Sequence, residues 1–569
     1  MKRFLFFILI FCQTLNVFGQ IDSLSEQSRI VLLKNESSLV PLKNLDSLSI
    51  KYLNDPILKK FGQRYTENKG ENELIIASVS SKKEYNGNAD ILIIYSDSID
   101  ISQNLLNSSR VIIYTTDFSE ASIDIITQMI FGGRGFKDTL AMPVYGYSSG
   151  AGIKTKGGIR FSFGEPEEVG LDSKYLKRKI DSVAINAIDS GVAPGIQVLV
   201  ARDGMVVLHK TYGYQRYDSL IPVEKTMLYD FASVTKITGA LPGLMKLYDE
   251  GKFSLDATMG TYLPYFSKGN KEDLRYRNVL SHNARLKSWI AFWTTTIKKN
   301  GKFKRKTLSH DSTEQYSYKL SEELYMHNDY KDIIYKQIRK SPLNETPGYV
   351  YSGLSFYLYP EIIERITGED FETYMKSTIY KPLGASTITW NPMRFYPKDR
   401  MIPTEVDTFF RQTPLQGVVH DEGAAMMKGI SSNAGLFGTT LDLAKIMQMY
   451  MWKGFYGNKQ LISTNTMNLF TSCHYCNEDI RRGLAFDKPV LENKEQGSTA
   501  IDASYQSFGH SGYTGTFAWA DPETGILFVF MSNRVYPTRN NRKLYKLGIR
   551  PAMHQAIYDA RIEGSESLK

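Results

Sequence analysis

The sequence predicts two folding units: an α/β layered domain, followed by an α+β domain whose antiparallel sheet is flanked by helices and interrupted by a helical insert. Three observations carry this. Helical and strand-like segments alternate up to about Val144, two hairpin signatures lie far apart at Asp203-Gly204 and Pro522 to Gly525, and the stretch between those hairpins is mostly helical. A chain of 569 residues is also too long for one ordinary domain.

The N-terminus, Met1, Lys2 and Arg3 followed by "FLFFILIF", reads as a secretory leader ending near Gly19. Its apolar run is too short for a stable membrane helix. Bulky Phe11 before Cys12 fits a lipoprotein cleavage site poorly, so residues 1–19 predict a soluble exported protein, periplasmic or secreted, with no membrane span after cleavage. From 20 to 148, "LSEQSRIVLLKN" carries apolar residues at helical spacing, "ADILIIYSD" and "SRVIIYTTD" are short apolar strands buried on both faces, and "ASIDIITQMIF" is helical. A Gly/Ser/Lys-rich stretch over 149–164 predicts a linker. The second domain, 165–562, opens with "PGIQVLVARDGMVVLHKTYGY", two strands about an Asp-Gly turn. It closes with the hairpin "FGHSGYTGTFAWADPETGILFVFMSN" and a helix in "YKLGIRPAMHQAIYDARI".

Composition narrows the partners. Hydrophobic content of 42% and charged content of 23% are ordinary for a globular protein. The formal charge of +9 suits anionic cell-wall material. Nucleic acid is a poor partner for an exported chain, and "IKKNGKFKRK" reads as a solvated loop. Cys473 and Cys476, three apart around His474, allow a redox motif, half a metal site or a local disulfide. His420, Asp421 and Glu422 resemble a metal or acid/base cluster, but adjacent loop residues seldom converge on one ion, and no metal is predicted.

"FASVTKITG" holds Ser233 and Lys236 one helical turn apart, after the strand-like "TMLYDFA" and before apolar Ile237, Leu241, Leu244 and Tyr248 at helical spacing, with a kink expected at Pro242. The pair Ser80 and Lys83 has the same spacing without either flank. A lysine in a largely desolvated pocket loses affinity for its proton, which lets it take one from serine. Tyr351 precedes a helix with apolar Phe356, Ile362, Ile363 and Ile366, and a phenol serves as a base only beside a cation, which Lys236 would supply. His510, Ser511 and Gly512 lie on the last hairpin, where small residues let an acyl substrate run along the strand edge. The N–H groups of Tyr513 and Ser233 would make an oxyanion hole. Trp289 and Trp293, in "SWIAFW", fit a substrate groove or packing equally.

These three elements, in this order, resemble the class C β-lactamase, D-Ala-D-Ala peptidase and esterase superfamily, with its S-x-x-K, Y-x-N and K/H-x-G boxes, over about residues 165–560. "GVVHDEGAAMMKGISSNAGLFGTTLDLAK" and "RRGLAFDKP" are most similar to its serine-type N-acetylmuramoyl-L-alanine amidase branch. The resemblance implies a serine hydrolase that needs no cofactor and forms an acyl-enzyme at Ser233, with Lys236 and Tyr351 sharing the base role and His510 assisting substrate or leaving-group contact. Its substrate would be an amide or ester in peptidoglycan-derived fragments. Three departures stand out: Gly353 where the family has Asn or Asp, "VLSHNARL" with His282 kept and a glycine turn replaced by Ala284-Arg285, and His510 in place of Lys. Gly353 leaves open a second reading, a slow-turnover penicillin- or muropeptide-binding pseudoenzyme. Before all this, "SRIVLLKNESSLVPLKNL" and "FGGRGFKDTLAMPV" resemble the ends of the C-terminal sandwich domain of glycoside hydrolase family 3. No room exists ahead of Ile21 for that family's barrel of about 250 residues, so the first domain reads as an α/β sandwich remnant, and glycosidase activity is a further, weaker alternative.

Overall fold

The computed structural model describes residues 29–562 except 68, 82, 83, 86, 97, 98 and 491. The expected leader at 1–19 and Lys83 lie outside the described residues. The chain forms two compact units, divided between Ser162 and Phe163.

The first unit is built on five strands, β1 (Val31–Asn35), β2 (Leu48–Leu53), β3 (Asn72–Val79), β4 (Ile91–Ile94) and β5 (Val111–Tyr114). Their order is β1-β5-β4-β3-β2, parallel from β2 to β5, with β1 antiparallel against β5. Three helices accompany them: α1 (Pro56–Gly62), α2 (Gln103–Ser108) and α3 (Glu120–Phe131). β4 is fully buried, and so are Val111, Ile112 and Ile113 of β5, as parallel strands covered on both faces require. Ser119 caps α3 through the N–H of Ser122, and Gly132 at φ 78° ends it.

Two expectations fail here. The segment read as helical around Ile30 is β1, because a short apolar run fits either period, and pairing with the edge of β5 satisfies its backbone groups. The expected linker is not a free tether up to Ser162. Ile153 donates its N–H to Leu32, Thr155 to Phe136 and Ile159 to Gly132, and buried Arg160 donates to the carbonyls of Leu42, Phe131 and Lys43. Gly157 serves close approach: a Cβ there would lie 2.5 Å from the carbonyl carbon of Arg134.

In the second unit the elements that position the site are α4 (Ser173–Asp189), β6 (Gly195–Arg202), β7 (Met205–Gly213), β8 (Tyr229–Asp230), α5 (Thr235–Thr238), α6 (Ala240–Asp249), β9 (Leu436–Gly438), α7 (Thr440–Met451), β10 (Phe508–Ser511), β11 (Phe517–Asp521), β12 (Ile526–Ser532) and α8 (Ile549–Asp559). Five antiparallel strands run in the order β10-β11-β12-β6-β7. Both hairpins form as expected. Asp203 and Gly204 take positive φ values of 51° and 81°, the pair of left-handed residues a tight hairpin turn needs. Leu176, Ile180 and Ala184 of α4 and Met553 and Ile557 of α8 pack with Val198, Val200, Phe528 and Phe530 of the central strands. α7 also packs on β6, β11 and β12, and β6 and β12 are buried along their whole length. The insert carries three short strands and the helix Tyr330–Lys340.

Candidate active site

Ser233 follows β8 in a single 3₁₀ turn, Ala232–Val234, which runs into α5. Ala232 is held at φ 45°, an unfavourable left-handed value for a residue with a side chain. Asp230 fixes this turn: one carboxylate oxygen accepts the N–H of Ala232 at 2.8 Å and the other the N–H of His420 at 2.7 Å. Burial pushes the Asp230 carboxyl above its ordinary range despite those two donors. The helix after Ser233 breaks at Gly239, with ψ −113°, rather than at the expected Pro242. Pro242 sits in the first turn of α6, where its missing N–H costs no helical bond.

Lys236 lies one turn after Ser233 and is buried. Its Nζ donates to Ser233 Oγ at 2.9 Å and to the main-chain carbonyl of Asn433 at 2.7 Å. The same Nζ stands 5.4 Å from the ring centre of Tyr351 and 5.5 Å from that of Phe356. Tyr351 itself is set by His282, whose carbonyl accepts the N–H of Val350 at 3.0 Å and whose Nδ1 accepts the N–H of Ser352 at 3.2 Å. The imidazole of His282 packs 4.8 Å from the Tyr351 ring. His282 thus braces the loop, and burial, with Arg482 near, drives its pKa well below the usual histidine value. Arg285, in the turn that lacks the family's glycine, takes φ 57° and donates to the carbonyls of Asn344 and Glu345.

His510 reaches the same cluster from β10, its ring 6.0 Å from that of Tyr351. Burial, reinforced by Arg482 and Lys236, lowers its pKa to about 3, so it is neutral. Its Nδ1 faces the Ser511 carbonyl at 2.8 Å, which puts the proton there and leaves Nε2 as a buried acceptor with no partner among the described residues. Gly512 is required by contact: a Cβ there would fall 2.0 Å from Thr516 Oγ1 and 2.6 Å from the Phe231 carbonyl oxygen. Thr514 and Thr516 tie the same turn to the carbonyls of Asp230 and Phe231. Gly512 and Tyr513 are therefore held against the residues that precede Ser233.

Gly353 lies in ordinary right-handed backbone at φ −85°, and a Cβ there would meet nothing within 4 Å. Its N–H bonds the carbonyl of Ser288, so Trp289, 57% exposed, follows a residue that touches this loop. Trp293, half-buried, packs at a tilt against Phe409 and Phe410, and neighbouring Phe292 is buried against Tyr357. The side chains of His420, Asp421 and Glu422 diverge: to Glu405 at 2.9 Å, to the N–H of Ala424 at 2.7 Å and to Arg539 at 2.7 Å. Cys473 and Cys476 are joined as a local disulfide.

Residues 180–549 match the Beta-lactamase family. The chain belongs to that family. Among relatives of this β-lactamase-family chain, a Salmonella enteritidis PT4 (strain P125109) protein described as "Putative D-alanyl-D-alanine carboxypeptidase" is 32% identical over 421 residues, 68% of this chain and 90% of that one. A Salmonella typhi protein with the same description matches to the same extent, 32% over 421 residues. Of solved structures, "EstCE1, a hydrolase with promiscuous acyltransferase activity" is 19% identical, covers 67% of this chain and 99% of its own, and superimposes with a TM-score of 0.48. The protein is a serine hydrolase of the β-lactamase-like superfamily.

Three residues of this β-lactamase-family site gave no readable signal in the sequence. Asn433 acts through its main-chain carbonyl, which every residue type carries. Asp230 looked like a strand residue. Arg482 has no sequence spacing that ties it to Tyr351, yet its guanidinium carbon is 5.4 Å from the Tyr351 ring centre.

Proposed function

We propose that this is an exported hydrolase that opens an amide or ester bond in peptidoglycan-derived fragments through an acyl-enzyme on Ser233. The observation that carries the reading is the 2.9 Å contact between Lys236 Nζ and Ser233 Oγ, with the lysine anchored on Asn433. In the first half-reaction Ser233 Oγ bonds to the substrate carbonyl carbon and passes its proton to the Lys236–Tyr351 pair. The N–H groups of Ser233 and Tyr513 receive the negative charge on the carbonyl oxygen. Collapse of the adduct expels the amine or alcohol, which takes that proton; water then repeats the sequence and releases the acid. His510 Nε2 offers an acceptor to a substrate N–H, and Trp289 a surface beyond it. The relatives' description supports a cell-wall substrate, and the basic start followed by an apolar run supports export. We read the first unit as a glycosidase-derived module without chemistry of its own.

Incubation with muropeptides and simple esters, read by mass spectrometry, tests this. Turnover together with a fluorophosphonate or penicillin adduct on Ser233, both lost in Ser233→Ala, is the expected result. A stable penicillin adduct without turnover of any substrate would make the protein a binding protein instead. Hydrolysis of an aryl glucosaminide that survives Ser233→Ala would return the chemistry to the first unit.

A further inference from the structure

The surroundings of Tyr351 hold one costly feature that the reading above does not use. Arg482 is buried, yet its Nη1 has no hydrogen-bond partner among the described residues. Its Nε and Nη2 both donate to the hydroxyl of Tyr349, at 3.1 and 2.7 Å, and Asp487 lies 3.7 Å away. Asp487 also pairs with Arg481, so two arginines share one carboxylate and the group keeps a positive charge. Main-chain bonds between Asp487 and Gly509, at 2.8 and 3.0 Å, fasten this loop to the strand that carries His510. A buried guanidinium with an unmet donor opposes folding, and such sites are kept where the charge has a use.

The electrostatics suggest the use. The groups around Tyr351 are Lys236 at 5.4 Å and Arg482 at 5.4 Å from its ring centre, the imidazoles of His282 and His510, and behind them Tyr349, Arg481 and Asp487. Both imidazoles are neutral, so the charge that a lysine on β10 would bring is missing. Burial works against the charge of Arg482, but Asp487, Tyr349 and Tyr351 outweigh it, and its pKa is raised. We propose that Arg482 is a positioning residue for the hydrolysis: it supplies the second fixed positive charge beside Tyr351 and so keeps that phenol available as a proton acceptor. This rests on the acyl-enzyme reading in which Tyr351 shares the base role.

The test is the pH dependence of kcat/KM for a simple ester in wild type, Arg482→Gln, Arg482→Lys and Tyr349→Phe, with fluorophosphonate labelling of Ser233 and a thermal melt on each. Removing a cation beside a base makes that base hold its proton more tightly. The acid limb of the Arg482→Gln profile is therefore expected about one pH unit or more above wild type, with roughly tenfold loss or more below the limb and recovery above it. Arg482→Lys should lie between the two, and Tyr349→Phe, which only loosens the guanidinium, should move the limb less in the same direction. A loss that is equal at every pH, or coincident profiles, overturns the role of Arg482 while labelled wild type leaves the hydrolase reading intact. Should Arg482→Gln fail to fold, an unshifted limb in both folded variants, Arg482→Lys and Tyr349→Phe, overturns it equally. Wild type that neither labels nor turns over fails the hydrolase reading, and this proposal falls with it.

Discussion

Asn433 presents its main-chain carbonyl to Lys236 Nζ at 2.7 Å while its side-chain amide donates to Asp421 Oδ1 and to the hydroxyl of Tyr357, each at 3.1 Å. The lysine is thus steered by backbone held in a side-chain network, and not by a residue two places after Tyr351. Asn433→Ala keeps the carbonyl but frees it, and ester kcat is expected to fall about ten- to a hundredfold through misplacement of Lys236. Asn433→Asp, which sets a second carboxylate against Asp421, should be worse. Steady-state kinetics alongside thermal melts check both.

The two site glycines should respond in opposite ways. Gly353→Asn meets open space in permissive backbone and is expected to change stability by no more than about 0.5 kcal/mol. Gly512→Ala forces a methyl against the Phe231 carbonyl and should cost about 1–3 kcal/mol and abolish Ser233 labelling. Denaturant titration of both variants separates them; equal destabilisation would contradict the geometry.

Acid should weaken the fold above the range in which ordinary carboxylates are protonated. His554 is buried against Phe528 with Nδ1 accepting the N–H of Ala500, and burial lowers its pKa from 6.5 to about 3, as for His510. Unfolded, each imidazole takes up a proton near pH 6.5; folded, it does not until about pH 3. Their contribution to stability is complete above 6.5 and declines as the pH falls towards 3. Each adds a slope of about 1.4 kcal/mol per pH unit over most of that window. Glu405, held low at about 2 because His420 and Arg539 outweigh its burial, adds a second loss below 4.5. Urea titrations of wild type and His554→Gln between pH 7 and 4.5 should show the variant less stable at pH 7 but with the shallower slope.

Arg160→Ala leaves the buried carbonyls of Leu42 and Phe131, and the part-buried one of Lys43, without this donor and should destabilise the first unit by about 3 kcal/mol. Faster proteolysis around 150–162 is the expected readout. Ester hydrolysis, which we assign to the second unit, should be unchanged.

Most of the second unit was legible because its signals are local. Asp203-Gly204 dictates a hairpin, and Ser233 and Lys236 are brought together by a single turn whatever the rest of the chain does. Where two structures suit one pattern, the reading failed: residues 31–35 fit a helix or a strand until β5 offers an edge, and residues 149–158 fit a tether until Gly157 is found against Arg134 and Thr155 bonded to Phe136. Asn433 and Arg482 were invisible for another reason. Their roles depend on which distant backbone or ring they touch, and no spacing in the sequence encodes that. His510 was found, but its charge state was not, since burial decides it.

The sheet that frames Ser233 joins residues 195–213 to residues 508–532, with residues 214–507, Ser233 among them, strung between. A nascent chain therefore exposes Ser233 long before strand β10, which carries His510, has left the ribosome. Such distant pairing also folds slowly. On the proposed acyl-enzyme mechanism, a stop codon anywhere ahead of Ser532 would yield not a sluggish enzyme but an inert polypeptide.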